Sequence, residues 1–227
     1  MLNRDVNNTA LGNPKRSLEL IIEGMKEKSK ILSESKISNE REARELLKLF
    51  FHIRRHIDNV LRESGIERIR RGFEILKSDM SYSKKVSLFV AEVRGANVMD
   101  VEDVAKEALH FLEPKKYPLW NRWIWNKERN SGSITYVLKD GIRLKDYEEF
   151  FNAVNELKLI LDKFGLNSED YYYTSIFLVY SYVRYMDYVT LLAVDRKGAG
   201  VLPTHLTTTA MVLGVKDLIK VRANAYT

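Results

Sequence analysis

Apolar side chains recur every three or four residues along most of this chain, and only 11 glycines and 4 prolines interrupt its 227 positions. That spacing follows one face of a helix, whereas a half-buried strand alternates at every second residue. The first such stretch runs from Ser17 to about Ile31 on Leu18, Ile21, Ile22 and Met25. A polar run then leads to a longer helix expected from Ser38 to just before Gly65. Its apolar arc is Ala43, Leu46, Leu47, Phe50, Ile53, Ile57, Val60 and Leu61. Further helices are expected over 66–76 and 84–93. Another starts at an Asp100 N-cap, buries Val101, Val104, Ala105, Ala108, Leu109 and Leu112, and stops at Pro114 and Pro118. Amphipathic spacing returns over 146–164 and closes at Gly165. Ser168 caps a Tyr-rich helix, and the Gly-Ala-Gly at 198–200 leads to one or two short helices around Gly214.

The one clear β signal is Ile134-Thr135-Tyr136-Val137-Leu138, then Lys139-Asp140-Gly141, then Ile142-Arg143-Leu144. It reads as a small β-hairpin at about 134–144, with Asp140-Gly141 supplying the turn. The expected fold is mainly α: a compact multi-helix single body over 16–227, behind a polar, Asn-rich tail at 1–15. Residue 95 and the 113–133 stretch are the places suited to a seam.

Composition removes several classes of function. With no cysteine, disulfide scaffolds, Cys-ligated zinc, iron–sulfur clusters and thiol catalysis are excluded. The start MLNRDVNNTALGNP holds no apolar core of the signal-peptide kind, so a cytoplasmic protein is expected. In the Tyr-rich helix the uncharged run from Tyr171 to Val183 is too short to span a bilayer, so no membrane association is expected. Glutamine is also absent, and charged residues make up 30% of the chain, a bias that suits a thermophilic source.

A net charge of +6 directs attention to the cations. On one continuous helix Arg41, Arg44, Lys48, Arg55 and Arg62 would share an arc of about 60°, a row suited to a phosphate backbone or simply to a solvated face. Arg54 falls inside the apolar arc, where Asp58 one turn later would form a buried ion pair with it. His52 and His56 share a face with Glu45, and Glu107-x-x-His110 has di-iron spacing. That spacing occurs once, however, and His110 is expected to face water, so neither a metal nor another cofactor is expected. Tyr173, Tyr180, Arg184 and Asp187 share one arc of the Tyr-rich helix, forming either a ligand pocket or a satisfied polar seam. Trp120, Trp123 and Trp125 lie among Lys115, Lys116, Arg122, Lys127 and Arg129. Rings among cations suit stacking on exposed bases, although at least two of the indoles should be buried.

The segment GANVMDVEDVAKEALHFLEPKKYPLWNRWIW resembles a pattern in uncharacterised proteins similar to the helix-hairpin-helix DNA glycosylases. Leu109, His110, Phe111, Leu112, Pro114, Pro118 and Trp120 carry the likeness, over about 30 of 227 residues. It implies a nucleic-acid-binding scaffold whose hairpin glycines reduce to Gly95. Asn121 stands at the family's catalytic aspartate, which makes it a candidate pocket residue but removes the carboxylate needed as a general base. The expected function is therefore binding of DNA or RNA without strong catalysis. Two other readings stay open: a helical interaction or scaffold protein, able to bind a protein partner or itself, and a small-molecule enzyme using the Tyr/Arg/Asp seam.

Overall fold

The computed structural model describes residues 14–166, 168–194 and 205–223. Residues 1–13 of the expected tail and the Gly-Ala-Gly at 198–200 lie outside them. The described chain is mainly helical: α1 (Pro14–Glu34), α2 (Glu40–Lys48), α3 (Ile57–Lys77), α4 (Tyr82–Glu92), α5 (Val98–Leu112), α6 (Tyr147–Lys163), α7 (Tyr172–Val194), α8 (His205–Val212) and α9 (Lys216–Ala223). Two 3-10 turns, Phe51–His56 and Ser133–Tyr136, lie between helices. Among the described residues no helix is long and apolar enough to cross a membrane. The framework divides into two compact units, Lys26–Asn121 and a discontinuous one made of Met1–Met25 with Arg122–Thr227. The second break falls inside the 113–133 stretch.

In the Lys26–Asn121 unit the whole apolar arc from Ala43 to Leu61 is buried, yet the helix expected to carry it is broken. Asn39 starts α2, its side chain accepting from the Glu42 amide at 2.9 Å, while Glu42 accepts from the Ser38 amide at 2.7 Å. These two bonds satisfy one orphan helix donor and fix the residue before the cap, a variant of the capping box. At the other end Phe50 turns extended (φ −109°, ψ 113°) and the chain re-enters as a 3-10 turn. Two cations take the carbonyls left behind, Arg54 Nε donating to Lys48 O at 2.8 Å and Lys28 Nζ to Leu49 O at 2.7 Å. Arg54 therefore caps α2 and does not pair with Asp58, which is exposed and bound to Arg44 at 2.6 Å. The expected ion pair was wrong because the break shifts the helical phase between the two residues. Phe50, Phe73 and Phe89 pack through the centre, the first pair tilted and the second edge-on, with centroids 6.0 and 5.4 Å apart.

Helix α5 differs from expectation on two counts. Its N-cap is Asn97, accepting from the Met99 amide, and not Asp100. It is also buried nearly all round, with Asp103, Glu107 and His110 inside together with the apolar face. His110 Nδ1 lies 2.9 Å from Tyr117 O, so it anchors the Pro-rich loop and does not face water.

In the Arg122–Thr227 unit no β-strand forms at 134–144. The Asp140-Gly141 turn is present, Ile142 donating to Lys139 O at 3.2 Å with Gly141 at φ 84°. The residues beside it are exposed, however, and a lone two-stranded hairpin with no face to bury is marginal. Backbone pairing occurs earlier instead. Ser133 donates to Trp123 O and Ile134 to Ile124 O, with one isolated antiparallel bridge between Asn126 and Ser131. Helix α6 is capped by Asp146 and ends at Gly165 (φ 79°), whose amide and that of Leu166 return to Asp162 O and Leu161 O. Helix α7 begins where Asp170, not Ser168, accepts the Tyr172 amide at 3.0 Å. Tyr172, Ile176, Val179 and Val183 are buried, and α8 and α9 follow on either side of Gly214 (φ 70°).

Candidate functional site

The five cations expected on one helix are spread over α2, a 3-10 turn and α3. Three of them are paired with carboxylates: Arg44 with Asp58 and Glu40, Lys48 with Glu45 at 2.7 Å, and Arg62 with Glu63 at 3.7 Å. Exposed pairs of this kind contribute little stability, but they lower the positive field available to a phosphate. Arg41 and Arg55 are exposed and have no carboxylate partner among the described residues. Lys115 and Lys116 are exposed, Lys116 pairing with Glu113 at 3.1 Å.

A cationic concavity lies elsewhere on the same unit. A cleft of about 160 Å³ is lined by Ser35, Lys36, Ile37, Ser38, Arg70 and Lys77, with Glu74 as its one carboxylate. Lys77 Nζ donates to Ser33 O and Ser35 O at 3.0 Å and to Ser35 Oγ at 3.3 Å, closing the C-terminal end of α1. Arg70 Nε donates to Ile37 O at 2.6 Å, while its Nη1 pairs with Glu67. Partial burial holds the Lys77 ammonium below the usual lysine range. Lys36 is exposed at the edge.

The same unit carries a buried polar stripe on α5. Lys28 is fully buried and bonds Glu107 Oε1 at 2.5 Å, its ammonium 4.2 Å from the Phe111 ring centroid and 4.8 Å from that of Phe50. Burial pushes the Lys28 ammonium down and the Glu107 carboxyl up, each effect partly offset by the other residue. His52 Nδ1 stands 3.5 Å from Asp103 Oδ2, and Lys85 pairs with Glu113 at 2.9 Å. Sequence reasoning missed Lys28, although Ile21, Met25, Lys28 and Leu32 form one stripe on α1 and a lysine within it is the signal. Among the described residues no group of three or more His, Asp or Glu side chains is placed to hold a metal ion.

Trp120 and Trp125 are buried and Trp123 is half-buried, as the cost of exposing indoles led us to expect. Trp120 stacks on Tyr82 at 6.2 Å, with Lys106 Nζ 3.8 Å from its ring. In the other unit Trp125 stacks on Phe150 and Trp123 on Tyr182, at 5.3 and 5.7 Å. Arg122 is half-buried and Asn121 buried. Of the Tyr seam, Tyr173 and Tyr180 are half-buried, Tyr180 lying 6.1 Å from His205, and Arg184 is exposed. The side chain of Asp187 lies outside the described residues. No family model, curated protein or solved structure matches this chain.

Proposed function

We propose that this protein binds nucleic acid, with the phosphate contacts made by the Lys26–Asn121 unit. The observation that carries the reading is the cleft that gathers Lys36, Arg70 and Lys77 around Glu74, with Glu67 paired to Arg70 at its side, three cations to two carboxylates. Lys77 is held there by neutral oxygens and forms no ion pair within bonding distance, although Glu74 acts on it from across the cleft. Arg41 and Arg55 add exposed cations to the same unit, and the residues that carry the likeness to uncharacterised proteins similar to helix-hairpin-helix DNA glycosylases, Leu109 to Trp120, fall within it. Asn121 in place of an acid argues for binding without base-excision chemistry.

The test is affinity for labelled DNA and RNA oligonucleotides, measured between about 50 and 200 mM salt. Binding should weaken steeply with salt, and Lys36→Ala, Arg41→Ala and Arg55→Ala should each reduce the log–log slope by about 0.7 to 0.9. No binding at low salt and micromolar protein would end this reading. A second reading, a protein-interaction module, is favoured by Leu159, Ile160 and Phe164 of α6 and its C-cap, which are 63, 51 and 78% exposed.

A further inference from the structure

In the Arg122–Thr227 unit the Ser133–Tyr136 turn lies against α7, and four aromatic rings collect there. Trp123 and Tyr182 stack with their planes 14° apart. Tyr136 and Tyr185 meet with centroids 4.9 Å apart and are 45 and 46% exposed. Val137 and Met186 beside them are 38 and 42% exposed. Arg122 lies close enough to Tyr182 to act on its phenol, and Arg184 is exposed next to Tyr185 in sequence. Burial, with Tyr185 and Tyr182 close by, pushes the Tyr136 phenol up to about 12.

We infer that Tyr136 and Tyr185, backed by the Trp123–Tyr182 stack, form a platform for unpaired bases, with Arg122 and Arg184 serving the flanking phosphates. This rests on the nucleic-acid reading and adds a ligand class, the single strand. Bases in a duplex have both faces covered by their neighbours, whereas an unpaired base can lay a face on a ring. The bordering arginines favour a polyanion over a second copy of the chain, which would bring the same cations against each other. Trp123 and Tyr182 are half-buried and stacked on each other, while Tyr136 and Tyr185 are exposed, so the last two are the rings a ligand can reach.

The experiment uses the full chain, a fluorescein-labelled dT oligomer of about twelve nucleotides, and a duplex of similar length. Tyr136→Ala and Tyr185→Ala should each weaken dT binding by about tenfold, while Tyr136→Phe and Tyr185→Phe keep wild-type affinity. Duplex affinity and its salt slope should not change. Equal losses for both ligands, or unchanged dT affinity in the Ala variants, would overturn the platform. So would a concentration-dependent dimer abolished by these variants while dT affinity is untouched. Tyr185→Ala keeps the test decidable if Tyr136→Ala loses its fold. A wild type that binds duplex but not dT removes the platform and leaves the phosphate reading standing. A wild type that binds neither removes both.

Discussion

Gly95 shows how much one backbone position can fix. It sits at φ 91°, and a Cβ added there would lie 2.4 Å from Asn59 O. Next to it Ser64 Oγ donates to Arg94 O at 3.0 Å and accepts from the Arg94 amide at 2.7 Å, tying the α4–α5 connection to α3. Gly95→Ala meets both the disfavoured φ and the backbone clash, and should cost on the order of 2 kcal/mol or more in urea titrations. The sequence marks Gly95 only as a break, because nothing in it says which carbonyl comes close. Arg54 and Asp58 teach a related lesson. Arg54→Met removes the donor to Lys48 O and should cost about 1 kcal/mol. Asp58→Ala removes an exposed pair and should cost less than about 1 kcal/mol. Denaturant curves in which Asp58→Ala is the worse of the two would contradict the cap.

At the scale of elements, the Lys28–Glu107 pair joins α1 to α5 where both are buried. Lys28→Met leaves the carboxylate inside without its cation, a change that typically costs about 3–5 kcal/mol. The variant should also acquire a pH dependence of definite sign. Without Lys28, burial acts on Glu107 opposed only by the more modest pull of Arg54, so its folded pKa rises further above the ordinary 4.5. The native state then keeps a proton that the unfolded chain releases. Stability is fully present below about pH 4.5 and is lost as pH rises toward the folded pKa. Urea titrations at about pH 5 and pH 8 should show the deficit growing with pH, and Lys28→Met with Glu107→Leu should recover most of it. A deficit independent of pH would mean that Glu107 reaches water. Helix existence was legible at this scale from three-and-four spacing, and α6 and its glycine stop were read nearly to the residue. The break at Leu49–Phe50 was not. It carries no Gly or Pro, and it is stabilised by Lys28 and Arg54, which come from 21 and 6 positions away.

For the whole molecule, the Lys26–Asn121 unit is one continuous segment, while the other needs chain from both sides of it. The first has its own aromatic centre in Phe50, Phe73 and Phe89 and its own buried ion pair. Its length lies within the range of self-sufficient domains. The 26–121 fragment should therefore fold alone, with helical circular dichroism and one cooperative urea transition. A non-cooperative melt would show that it depends on the remainder. The same division bears on the candidate site. The cleft cations lie in one unit, and the exposed tyrosine rings with Arg122 and Arg184 lie in the other, so duplex affinity and the single-strand preference should respond to different substitutions.

The sequence by itself determined that this chain is helical, where most helices lie, and which apolar residues are buried, because local periodicity and caps act within a few residues. It also placed two of the three indoles inside, since exposing such rings costs more than packing them. The tertiary structure decided the rest. It turned the polar stripe Asp103, Glu107 and His110 inward, because α1, the Phe51–His56 turn and the Pro-rich loop offer it Lys28, His52 and Tyr117 O. It dissolved the expected hairpin, because only its ends, Ile134 and Leu144, are buried, while most of 136–143 around the turn stays exposed. It also spread the cation row over three elements, because a helix keeps its phase only while its backbone ladder is unbroken, and distant side chains end that ladder here.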